Sequence, residues 1–146
     1  MNTNEELTIK TQYTSELSVE DRLFQTAYNT FLRFGYHATS LKLIAEKADV
    51  SHSTIHYYFR SKEKLYAKII EYIFQFILCL DFTNIENREE FQQVRWLLTT
   101  EQYNNKELFE KTLGLFGDKN VDSKLFLLNK WLEIVPNYQI LHFKTN

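Results

Sequence analysis

Residues 39–63 read TSLKLIAEKADVSHSTIHYYFRSKE, and the periodicity of this stretch decides the fold. Leu41, Ile44, Ala45 and Ala48 stand at i, i+3, i+4 and i+7, the spacing of one buried helix face. Asp49 interrupts the pattern and Val50 is apolar. Ser51 then offers a hydroxyl to cap a second short helix over 51–59, with Ile55, Tyr58 and Phe59 as its inward residues. Two short helices joined by a tight turn predict a helix-turn-helix unit, whose second helix is the one that enters the major groove of DNA.

The flanks extend the same reading. Upstream, Ser18 caps a longer helix whose first turn carries Glu20 and Asp21, where acids meet the positive helix end. Its apolar residues recur helically at Val19, Leu23, Ala27, Phe31 and Phe34, with Phe24 and Tyr28 widening the stripe. Gly35 stops it by taking the left-handed conformation. Downstream, Ser61 caps a fourth helix opened by Lys62-Glu63-Lys64 and continued through Leu65, Ile69, Ile70, Ile73 and Ile77 to about Leu80. Further helices are predicted near 86–103, 106–116 and 122–135, broken at Asn104-Asn105 and Gly117-Asp118 and ended by Pro136. With three Gly and one Pro in 146 residues, the chain lacks the breakers that tight strand connections need, so the fold is all-α. Residues 1–17 are polar and aperiodic, and read as an arm.

Aromatics make up 16% of the chain, enough for a sizeable core and spare apolar surface. The formal net charge is −2, yet residues 36–68 carry six basic against three acidic groups, the only positive segment. A basic patch on a mildly acidic body is a weak electrostatic footprint for nucleic acid. The single cysteine, Cys79, lies in an apolar run and is expected in the core. No secretory signal and no stretch of membrane-spanning length is visible, so a soluble cytoplasmic protein is expected. No catalytic cluster, Gly-rich phosphate loop or metal signature is present, so neither enzyme chemistry nor a cofactor is expected.

On the second short helix, His52, Ser53, His56 and Tyr57 face outward with Thr54 beside them, a dense set of donors and acceptors. His52 and His56 have the i, i+4 spacing that can clamp zinc, but no Cys or acid accompanies them on that face, and base or phosphate contact is the stronger reading.

From Ser18 to Leu80 the sequence resembles the DNA-binding domain of the TetR family of transcriptional regulators. Ala27, Phe31, Gly35 and Tyr36 match the end of that family's first helix. Thr39-Ser40 and Ile44-Ala45 match its second. Val50-Ser51, Thr54-Ile55, Tyr58-Phe59, Ser61-Lys62-Glu63 and Leu65 match its recognition helix and the start of helix four. Asp49 and Ser53 replace frequent glycines and His56 a frequent tyrosine. The recognition helix has no Arg or Lys, which removes the bidentate contact to guanine. The resemblance implies DNA contacts from Thr39, Ser40, Ser51, His52, Ser53, Thr54, His56, Tyr57, Tyr58 and Lys62. Tyr58 is a phosphate contact or a plain core tyrosine. Lys62, with the free amides of helix four, is an anion site or a solvated charge. Thr39 caps helix two and can also touch a phosphate.

The resemblance further implies a helix-turn-helix domain over 18–64 and a short helical dimerisation and possible effector-binding domain over 65–146. The expected function is a repressor that binds a pseudo-palindromic site on double-stranded DNA as a homodimer. The apolar faces of 106–143 are the candidate interface, and an apolar or aromatic effector would sit between helix four and the later helices. Trp96, Tyr103, Phe109, Phe116, Phe126, Trp131 and Tyr138 are read as core or interface before ligand box. The competing class is a TetR-like interaction subunit or co-regulator that no longer reads DNA. A dedicated small-molecule binder would need a large apolar cavity in residues 70–146.

Overall fold

A computed structural model describes residues 17–79 and 88–134. The arm over 1–16, Leu80, Pro136 and Tyr138 lie outside these residues. In chain order the helices are α1 (Val19–Phe34), α2 (Leu41–Ala48), α3 (His52–Phe59), α4 (Lys62–Tyr72), α5 (Arg88–Asn104), α6 (Lys106–Leu113) and α7 (Val121–Ile134), and α4 runs on into a π-helical turn, Ile73–Ile77. No strand occurs among the described residues, in line with the all-α expectation.

Four serines start the first four helices. The hydroxyls of Ser18, Ser40, Ser51 and Ser61 accept from the amides of Asp21, Leu43, Thr54 and Lys64 at 3.1, 3.0, 3.2 and 3.1 Å. Each satisfies one orphan donor and stabilises its helix by about 1 kcal/mol. The cap of α2 is therefore Ser40, not Thr39.

One hydrophobic core runs through the described residues. Leu23, Ala27 and Phe31 of α1 meet Ile44 of α2, Ile55 of α3, and Leu65 and Ile69 of α4. The same cluster continues into Phe91, Val94 and Leu98 of α5, Phe109 and Leu113 of α6, and Leu128 and Trp131 of α7. Helix α1 packs against α2, α4 and α5, so it belongs to the N-terminal head and to the body beneath it.

Four expectations change. Phe34 is 40% exposed instead of buried, and its ring lies under Lys47 Nζ at 4.8 Å and Arg33 Cζ at 5.2 Å. Gly35 ends α1 with φ 80° and ψ −179°, an extended positive-φ conformation and not the left-handed helical one. Cys79 is exposed. The π turn inserts an extra residue before it and rotates the faces, so that Ile73, Phe74 and Ile77 are buried while Phe76 points out. Helix α6 also stops at Leu113, three residues short of the expected end, because Gly114 closes it.

Candidate nucleic-acid interface

The turn between α2 and α3 is built by Asp49, whose φ 57° and ψ 50° are left-handed. Val50 N donates to Ala45 O at 3.0 Å and Asp49 N to Glu46 O at 3.2 Å, the paired bonds of a Schellman close. A short polar side chain tolerates this conformation where most would not.

On α3, Ile55 and Phe59 point into the core, as the spacing requires. His52, Ser53, His56 and Tyr57 are exposed, and Tyr57 most of all at 70%. Thr54 and Tyr58 are half-buried, so Tyr58 is neither a full core residue nor a free one. Its ring stands edge-on to Tyr57 at 5.1 Å. Ser51 Oγ lies 3.0 Å from Ser53 Oγ and 2.7 Å from Thr54 Oγ1, one hydroxyl cluster at the helix start. The rings of His52 and His56 meet edge-to-face at 4.5 Å. His56 Nδ1 is 3.3 Å from Arg60 O. A carbonyl only accepts, so in the neutral ring Nδ1 carries the proton and Nε2 is left as an outward acceptor. Among the described residues no group of three metal-ligating side chains forms, around this pair or elsewhere.

The structure separates the edge residues. Thr39 is 1% exposed and its hydroxyl donates to Gly35 O at 2.8 Å, so it ties the chain after α1 and does not face the α3 surface. Ser40 and Ser51 are exposed beside their helices. Lys62 is half-buried, with Nζ 4.0 Å from the centre of the Tyr36 ring. Partial burial lowers its pKa, and the carboxylates of Glu63 and Glu101 oppose that shift. Burial, then Glu63, pushes the Tyr36 phenol up to about 12.

One residue at this edge escaped the sequence pattern. Arg60 closes α3 with φ 68° and ψ −51°, and Ser61 N donates across it to Phe59 O at 2.7 Å. That is a γ-turn of the positive-φ kind, a strained conformation for a residue with a side chain. It sets an exposed guanidinium at the foot of a helix that itself carries no Arg or Lys. The sequence signal was only its place, one residue past the last helical position.

The model of the family described as bacterial regulatory proteins, tetR family, matches residues 23–69. The HTH-type transcriptional regulator RutR of Escherichia coli (strain K12) is 45% identical over 51 residues, which are 35% of this chain and 24% of that protein. The RutR of Shigella flexneri matches to the same extent. An uncharacterized HTH-type transcriptional regulator, YhgD of Bacillus subtilis (strain 168), is 38% identical over 47 residues, 32% of this chain and 25% of its own length. The chain thus spans about a quarter of the length of the curated relatives it matches. The matched segment starts at Leu23 in α1, takes in α2, the Asp49 turn and α3, and ends at Ile69 in α4. Over residues 23–69, this chain is similar to the tetR family of bacterial regulatory proteins.

Proposed function

We propose that this protein is a DNA-binding transcriptional regulator, acting as a repressor, that grips a pseudo-palindromic duplex site as a homodimer. The observation that carries the reading is the outward face of α3, where Ser53, His56 and Tyr57 present donors and acceptors from a short helix held by Ile55 and Phe59. Ser51, His52, Thr54, Tyr58, Ser40 and Lys62 complete the contact surface. Arg60 joins them, and Thr39 leaves the set because its hydroxyl is turned inward.

A single α3 reads only a few base pairs. Two related by a two-fold axis, about 34–36 Å apart or a multiple of that, supply the missing specificity. Exposed Phe126, Leu127 and Ile134 on α7 support a dimer contact within 106–143. Effector control is read at a different place from the one expected. Ile69 and Ile70 at the end of α4 and Ile73 in the π turn are fully buried. Two open grooves, of about 590 and 630 Å³, instead follow the seam of α1 and α5. The first has Arg33 and Trp96 in its wall and the second Phe24, Tyr28 and Tyr72, which suits an aromatic molecule with a polar end.

Among the described residues no helix is long and apolar enough to cross a membrane. The absence of Arg and Lys from α3 favours the second reading, a TetR-like interaction subunit that no longer reads DNA. Selection of bound genomic fragments at modest salt separates the two. A recovered pseudo-palindrome supports the regulator, and no enrichment even at low salt supports the interaction subunit. A concentration-independent monomer by sedimentation at micromolar protein would remove the homodimer.

A further inference from the structure

We propose that Glu101, on the body helix α5, is a positioning residue for the DNA grip: it fixes Tyr36, and Tyr36 in turn holds Lys62 ready for a phosphate. The proposal rests on the DNA-binding reading and adds to it a residue from outside the family-matched segment.

Glu101 is a carboxylate at 1% exposure. Burying a charge is costly unless its oxygens find good partners. Both do. Oε1 accepts from the backbone amide of Tyr36 at 3.0 Å, and Oε2 accepts from Asn105 Nδ2 at 2.6 Å. The Asn105 amide then reaches the head a second time, its Oδ1 2.5 Å from His37 Nε2. The hydroxyl of Tyr66, also fully buried, has no hydrogen-bond partner, so the carboxylate is committed to the chain after α1 and not to its aromatic neighbour.

The target of this clamp is a platform. The Tyr36 ring stacks on Phe31 at 6.3 Å and meets Tyr66 edge-on at 4.8 Å. Lys62 Nζ rests against it at 4.0 Å. Lys62 is the first residue of α4, where free amides already favour an anion. A long, flexible ammonium held in place before binding gives up less rotamer freedom on meeting a phosphate. A well-packed apolar side chain serves stability as well as a buried carboxylate does, or better, but it cannot hold a backbone amide in register. The access is built in as well. Gly35 has no side chain, and a Cβ there would lie 3.3 Å from Glu101 Oε1.

The test uses the full chain and compares Glu101→Ala, Glu101→Gln, Lys62→Ala and the Glu101→Ala/Lys62→Ala double variant. Affinity is measured for a selected site and a random duplex at two salt concentrations, with urea midpoints alongside. Glu101→Ala is expected to weaken both duplexes roughly threefold to tenfold, the worth of one mobile side chain, and to flatten the log–log salt slope by up to about one unit. Glu101→Gln, which keeps an oxygen for the Tyr36 amide, restores most of the affinity. In the Lys62→Ala background Glu101→Ala adds little. A variant that lowers the urea midpoint but leaves the affinity of folded protein and its salt slope untouched overturns the proposal, and so do fully additive losses in the double variant. Should Glu101→Ala fail to fold, Asn105→Ala removes the partner that orients the carboxylate and is expected to weaken both duplexes in the same sense. No DNA binding by the wild type sinks the regulator reading itself, whereas wild-type binding with indifferent Glu101 and Asn105 variants sinks only this proposal.

Discussion

Replacing Gly35 with alanine tests the joint between head and body most directly. The residue sits at φ 80° and ψ −179°, a region that side chains essentially never occupy, and forcing one into it costs about 1–3 kcal/mol. The added methyl would stand 3.3 Å from Glu101 Oε1 and 3.6 Å from the Trp96 ring. The carboxylate can retreat only by lengthening its 3.0 Å bond from the Tyr36 amide. A hydrogen bond to a charged group contributes about 1.5–3 kcal/mol. Some backbone relaxation relieves both costs together, so the expected loss is about 2–4 kcal/mol and not their full sum. Urea unfolding followed by tryptophan fluorescence reads it, since Trp96 borders the site. With a slope of about 2 kcal/mol/M, the midpoint should fall by about 1–2 M. Gly35→Asn sharpens the test. Asparagine relieves a left-handed helical position but not this extended one, so it should lose about as much as alanine. A loss below about 0.5 kcal/mol for alanine, or an asparagine variant near wild type, would refute the reasoning.

Other substitutions probe the DNA face, the turn and the phenols. Lys62→Ala should weaken specific and random duplexes alike and flatten the salt slope by about one unit, while His56→Ala or Tyr57→Ala should cost about 1–3 kcal/mol on the preferred site and much less elsewhere. Equal losses on both duplexes in anisotropy titrations would deny His56 and Tyr57 a base contact. Asp49→Gly relieves a left-handed residue and should raise stability by about 0.5–1 kcal/mol after the entropy of the freer unfolded chain is counted; a lower urea midpoint would show that the aspartate contributes more than its backbone suggests. Alkaline stability should fall in a defined window. Burial raises the pKa of Tyr28, Tyr36 and Tyr66 above the ordinary value of 10.0, Tyr36 to about 12. The folded state therefore holds these protons more tightly than the unfolded chain. Their contribution is intact below pH 10 and drains as pH climbs toward 12. Melting temperatures across that range should drop, and Tyr36→Phe should make the drop shallower; an identical slope in the variant would clear Tyr36 of any part in it.

What the sequence shows well is local. Four serines stand where four helices begin, and Ile55 and Phe59 fall inward because α3 has a helical period and one wet face. Thr39 and Ser40 are adjacent hydroxyls, and only the fold decides which one caps and which turns back to Gly35. Gly35 announced a positive φ, but its ψ follows from the route the chain takes past Glu101. Cys79 belongs to an apolar run whose phase slips by one residue at the π turn, an event with no local marker. Glu101 was invisible for a related reason. A carboxylate on a polar helix reads as solvated until a backbone amide 65 residues away is placed against it.

Helix α1 is common property of the head and the body, and this bears on how the protein can be divided. A cut after residue 64 severs α4 within its first turn and strips Leu23, Phe31 and Tyr36 of the surfaces that α4 and α5 lay over them. The excised head would then expose a greasy flank and self-associate or melt, leaving no miniature reader of DNA. For the same reason the residues recognised by family resemblance are not expected to fold as an autonomous unit. Amide exchange on the intact protein should find α1 opening together with α5, in one cooperative event.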